Sequence, residues 1–131
     1  MSQPLYLPFY IQDPADGTAT VRYLCLNDDY LLEGVQLINN GGLSAHATNN
    51  LTVNILGNDG ATTAFSLTTD SDISGHVSIS DKTATNFVDA QSAKANFVAG
   101  TAIKLDIAKG GTGQQLDCAI VLKLMPARSY A

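Results

Sequence analysis

Tryptophan is absent, cysteine occurs only twice, and seven basic residues stand against twelve acidic ones. Each shortage closes off a class of function. A formal net charge of −5 with no Lys/Arg cluster is repelled by phosphate backbones and by anionic bilayers, so neither nucleic acid nor membrane is expected as a partner. Without Trp, the chain lacks the aromatic platform on which sugar faces are often stacked. Cys25 and Cys118 form no Cys-x-x-Cys pair, and His46 and His76 are the only histidines, so no zinc-ligand spacing exists. Both cysteines fall in strand-like runs and are expected to be buried, reduced thiols. No apolar run approaches the ~18 residues that span a bilayer. The opening "MSQPLYLPFYIQ" carries no basic leader, and synthesis in the cytoplasm is the expectation.

What remains is a chain of 131 residues, 45% hydrophobic and 15% charged, which is globular rather than disordered. At this length one domain buries roughly two-thirds of its unfolded surface. Thr, Ser, Asn and Gly fill much of the remainder, a composition suited to pleated strands and tight bends. Pro4, Pro8 and Pro14 interleave with Tyr6, Phe9 and Tyr10 near the N-terminus. Proline forbids a regular helix there, so residues 1–14 are read as an extended arm and residues 15–131 as a single β-sandwich. The arm is expected to lie on its own sandwich, with a neighbouring subunit as the rival surface. Tyr6, Phe9 and Tyr10 are its candidate partner-binding residues.

Alternation of period two recurs along the rest of the chain. Val21, Tyr23 and Cys25 share one side of "TVRYLCL", and Leu31, Val35 and Leu37 one side of "LLEGVQLIN". Leu51, Val53 and Ile55 point inward in "LTVNILG", as do Ile103, Leu105 and Ile107 in "AIKLDIA". "DCAIVLKL" is apolar on both faces, which predicts a central strand or one covered by another subunit. Asn40-Gly41-Gly42 and Asn58-Asp59-Gly60 supply turns. The fold class is therefore all-β: an antiparallel sandwich of jelly-roll type with roughly eight strands. "TATNFVDAQSAKANFV" resists the pattern, since Phe87, Gln91, Lys94 and Val98 would share a helical face, and it predicts a short helix or an irregular crossover.

Three local patterns invite a chemical reading. "KGGTG", residues 109–113, has its lysine before the glycines and a strand-like run after them, whereas a phosphate loop needs the lysine last and a helix next. It is read as a hairpin bend. "DSDISGHVSISD" places Asp70, Asp72, Ser74 and Asp81 at the first, third, fifth and twelfth positions of a calcium loop, with Gly75 sixth. Its flanks read as strands rather than helices, and its last ligand is Asp rather than Glu, so an acidic surface turn competes with a Ca²⁺ site. Asp28-Asp29 and Glu33 are paired acids near a strand start, of the kind usually solvated at turns. No nucleophile–base pair is marked, so no catalytic residue, enzyme activity or cofactor is expected.

"LTVNILGNDG", followed by "KANFVAGTAIKLDIAKGGTGQQLDCAIVLKL", resembles the small jelly-roll decoration (cement) proteins of tailed-phage capsids. Ala95, Val98, Ala99, Gly100, Ile103 and Leu105 fill that family's Ala-Gly corner and strand, with Thr101 where an acid is usual. The matched region, from residue 51 to residue 124, spans roughly half the chain, and its motifs are structural in kind. The resemblance implies a virion protein on the capsid exterior that binds and stabilises the major capsid protein shell, often as a homotrimer. A receptor- or glycan-binding fibre tip built on the same fold is the alternative.

Overall fold

The computed structural model describes residues 3–12, 19–57, 61–89, 95–112 and 115–126. Every regular element among them is a β-strand: β1 (Leu5–Gln12), β2 (Ala19–Cys25), β3 (Tyr30–Asn39), β4 (Asn50–Leu56), β5 (Thr63–Thr68), β6 (Thr85–Asn86), β7 (Val88–Asp89), β8 (Ala95–Phe97), β9 (Ala102–Gly110) and β10 (Asp117–Pro126). They form two sheets. One runs β1-β10-β3-β6, with β8 also on β3, and the other runs β2-β9-β4-β5-β7. All pairings between these strands are antiparallel.

Apart from the paired β4 and β5, successive strands alternate between sheets, so that β1 and β3 flank β10 while β2 and β4 flank β9. That wrapping of the chain's start around its end is the jelly-roll order. The architecture thus follows from the pairing itself. The count of eight is recovered once β6 and β8 are seen as two pieces of one strand along the β3 edge, at Gln36–Leu37 and Tyr30–Leu32, and the two-residue β7 is set aside. Between them the chain detours to β5 through β7. Phe87, buried at that crossing, donates its amide to Val35 O at 2.9 Å and plugs the side of the sandwich. Residues 85–89 and 95–97 are therefore extended, and the helical reading of this stretch is corrected there. Gln91 and Lys94 lie outside the described residues.

The core is aliphatic. Leu51, Val53 and Ile55 of β4 meet Ile103, Leu105 and Ile107 of β9, with Ile120, Leu122 and Leu124 of β10 opposite, all fully buried. Each such side chain is worth about 1.5–3 kcal/mol when taken out of water. Alternation is kept in these three strands because the extra residue at each slip falls on the partner, Glu33 of β3 opposite β10 and Ala64 of β5 opposite β4. In β3 it breaks. Pairing with β10 slips between Lys123 and Leu124, so Lys123 faces Gly34 and Leu124 faces Leu32. This bulge moves the inward set from Leu32 to Val35 and Leu37, and Leu31 does not share their side as the plain alternation predicts.

The extended N-terminal segment lies on the chain's own sandwich: all eight residues of β1 pair with β10. Leu7, Phe9 and Ile11 face the core. Pro8 opposite Val121 is tolerable because β1 is an edge strand, where a proline's missing N–H can face solvent.

Within KGGTG, residues 109–112 end β9 in a bend that is not a hairpin, and Gly113 lies outside the described residues. β9 and β10 belong to different sheets, so the bend carries the chain across the end of the sandwich. Gly111 has φ +67°, and a Cβ there would overlap Asn49 Oδ1 and crowd Thr48 O. Asn49 Oδ1 accepts the Thr112 amide at 3.0 Å, which fixes the corner. A second clamp is Asn39, wholly buried, whose Nδ2 donates to Gly41 O (2.8 Å) and Gln115 O (3.3 Å) and whose Oδ1 accepts the Asp117 amide (2.9 Å).

Candidate protein-binding face

The outward side chains of the β1-β10-β3 sheet fall into three rows set by register. Tyr10, Ala119 and Ile38 make one row; Pro8, Val121 and Gln36 the next, continued to Asn86; Tyr6, Lys123 and Gly34 the third. Tyr10 is 80% exposed, Tyr6 58% and Ile38 38%, so large apolar surface is left in water. The opposite sheet differs. Its outer rows carry Thr52 and Thr68, then Asp106, Asn54 and Ser66, with apolar residues outward mainly on the edge strands: Val21 and Tyr23 on β2, Val88 on β7. The middle strands of one face thus carry Val121, Ala119 and Ile38 outward, and those of the other Asp106, Asn54 and Thr52.

Along the third row the face sinks into a groove of about 510 Å³. Gly34 leaves space there, since a Cβ on it would meet nothing within 4 Å. Tyr6 and Lys123 stand on one side, Gln36 and Asn86 on the other, with Phe65 and Phe87 at the floor. Gln36 Nε2 donates to Asn86 Oδ1 at 2.8 Å, and Lys123 Nζ lies 3.7 Å from Glu33 Oε2. The half-exposed ion pair is screened and contributes little.

Of the three candidate binding residues, Tyr6 and Tyr10 share this face. Phe9, between them in sequence, is on the other side of the strand and packs against the core. Val121 lies in the run that the sequence marks as apolar on both faces; Ile38 and Gly34 also belong to the face, and no signal within one strand marks those two, because the rows exist only once register is known.

The calcium-loop residues take separate partners. Asp70 Oδ1 accepts the Asp72 amide at 3.0 Å, and Ser74 is exposed. Asp81 accepts the Gly41 amide at 2.7 Å and Lys82 Nζ at 3.0 Å. Those two donors, the Gly41 amide first, hold its carboxyl below the usual value of 3.8. Among the described residues no group of three or more His, Cys, Asp or Glu side chains is placed to hold a metal. "HVSIS" is not a strand either; only Ile79 forms a bridge, to Leu43.

The remaining polar candidates do structural work. His46 is exposed, and its Nδ1 accepts the amides of Thr48 (3.0 Å) and Asn49 (2.9 Å), capping the loop that meets Gly111. Asp29 Oδ1 accepts the Ala99 amide at 2.8 Å and ties down the Ala-Gly corner, where Thr101 Oγ1 donates to Val98 O. The expectation of two buried thiols is corrected by half. Cys118 is buried, but Cys25 ends β2 on its outward side and is exposed, because β2 turns Leu24 and Leu26 inward instead. Burial first, then the Asp117 charge, pushes the Cys118 thiol up to about 12.

No family model matches the chain, and neither does any curated protein. Among solved structures it is similar to the infectious bursal disease virus VP2 subviral particle, at 17% identity and TM-score 0.38, covering 95% of this chain and 32% of that one. Structures of the Gx and Gt strains of the same virus align at 14% identity each, with TM-scores of 0.35 and 0.31. They are covered over 32% and 33% of their length, and this chain over 95% in both. The chain spans about a third of the length of these proteins. At such TM-scores the alignments fix neither family nor partner, and the fold stands on strand order alone.

Proposed function

We propose that this chain is a structural virion protein of the decoration (cement) type, a non-catalytic body that associates with copies of itself and with the major capsid protein on the outside of a shell. The observation that carries this reading is the asymmetry of the sandwich. One outer sheet confines its outward apolar side chains mainly to the edge strands, and the other presents Tyr6, Tyr10, Pro8, Val121 and Ile38 across three adjacent strands. Contiguous apolar faces of this kind are rarely left uncovered, and exposed tyrosines are among the strongest anchors of protein interfaces. The resemblance of the β4 and β8–β10 sequences to phage cement proteins supports the same role.

The test is to mix the purified protein with undecorated shells of the virus that encodes it and to co-sediment them. Saturable binding that raises the shells' melting temperature is the expected result. The groove beside Tyr6, lined by the Gln36 and Asn86 amides, favours a glycan-binding fibre tip as second reading. Glycan-array binding without shell binding would establish that reading and end the first.

A further inference from the structure

We infer that the apolar sheet face is covered by a second copy of this chain, related by a two-fold axis that runs across the strands through the row Pro8, Val121 and Gln36. This rests on the reading above that the face is meant for protein, and it names the protein. The reason is that the rows on either side of that axis are complementary in size. Rotation brings Tyr10 of one copy over Tyr6 of the other, Ala119 over Lys123, and Ile38 over Gly34, because each pair sits two residues on either side of the central row on the same strand.

The pairing is large against small at two of the three positions. Ile38 protrudes where the other copy has no side chain at all, and the space above Gly34 is open. The short Ala119 leaves room for the long Lys123. Tyr10 and Tyr6 supply an aromatic pair, formed twice by symmetry. Charge agrees as well. Asp117 is the next outward residue beyond Ala119 on β10, so it lies one step along the strand from the Lys123 of the other copy, within reach of that side chain.

The area sets the strength. Three strands spaced ~4.8 Å apart and eight to ten residues long offer a footprint of roughly 400–500 Å² on each copy. Doubled, that lies at the low end for specific association, so a reversible dimer with a dissociation constant on the order of micromolar is expected. Two sheets facing in this way stack ~10 Å apart like the layers within the sandwich itself. The polar outer sheet and the loops at the ends then remain for the shell.

Sedimentation equilibrium of the whole chain tests this, with a size-swap as the specific signature. The wild type should move from one chain mass of 13.8 kDa to twice that as concentration rises through the micromolar range. Gly34→Ile, for which the fold has space, should weaken the dimer at least about tenfold by setting isoleucine against isoleucine, and Ile38→Ala should weaken it by a similar factor. The double variant Gly34→Ile/Ile38→Ala moves the knob to the other row and should regain most of the lost affinity. In a Cys25→Ser background, Val121→Cys lies on the axis, where the facing sheets are too far apart for a direct disulfide, and a short bismaleimide should link it into a covalent dimer, whereas Ala108→Cys on the opposite sheet should not be linked. A monomer at all concentrations, a trimer, or a double variant no better than the singles would overturn the two-fold. Shell binding measured on the same samples separates the ideas: a monomer that still binds shells sinks only the dimer, and a dimer that never binds them sinks only the capsid role.

Discussion

Two residues identical in chemistry show how position decides behaviour. Cys118 faces the core from the middle of the sheet, and with its thiol raised to about 12 it has almost no thiolate at neutral pH. Cys25 faces water at the end of β2. Titration with a thiol reagent should therefore label one cysteine in the native protein and two in denaturant; fast labelling of both in the folded state would contradict the core placement. Asp81 is a second case. Its folded value lies below the ordinary 3.8, so the stability it contributes is fully present above that pH and is lost as pH falls through the lower folded value. Asp81→Asn should flatten the acid side of the stability curve below about pH 4 while changing its shape little near neutrality, as read by urea unfolding at stepped pH. The sequence pattern around these residues was legible in part. Period two correctly sets Tyr6 and Tyr10 on one side of β1, and by the same rule it sends Phe9 to the other. The parity of β2 was equally readable, but which side met the core was not, and hence Cys25 was misplaced.

At the scale of elements, legibility follows length. β4 and β9 run seven and nine residues, and each inward residue expected from alternation is inward; β10, read as apolar on both faces, is a central strand between β1 and β3. β6, β7 and β8 are two or three residues long, too short to carry a period, and the helical spacing of Phe87 and Val98 was coincidence. The β3 bulge escapes sequence reading because a one-residue slip is a property of two strands together. Corners are decided by close approach. At Gly111 an alanine must adopt a left-handed conformation and displace the Asn49 amide, so Gly111→Ala should cost roughly 1–3 kcal/mol, measured as a lower urea midpoint with unchanged slope. An unchanged midpoint would mean that the corner is not built as described. The N-terminal segment also changes meaning at this scale. Since Leu5–Gln12 is an edge strand carrying Ile11 into the core, deletion of residues 1–12 should strip β10 of a partner and yield aggregation-prone protein rather than a folded core lacking its grip. Recovery of a soluble, cooperatively unfolding truncation would show that the segment is dispensable.

At the scale of the molecule, fold and proposed role come from one feature used twice. Alternation packs one set of side chains between the sheets, and the register of β1, β10 and β3 then decides what the outer set looks like. The fold class was legible because it needs only the first. The candidate face was half legible: its tyrosines were visible in a proline-rich segment, but its rows, its groove and the open place at Gly34 required three strands aligned. The reading as a virion component concerns that face and a body with no reactive centre assigned to it. For the proposed virion role, the most direct measurement is an electron cryomicroscopy reconstruction of the particle whose genome encodes this chain. The account predicts repeated density on the shell's outer surface into which the two-sheet sandwich fits, touching the major capsid protein. A bare shell exterior, or the same density confined to a fibre tip, would contradict it.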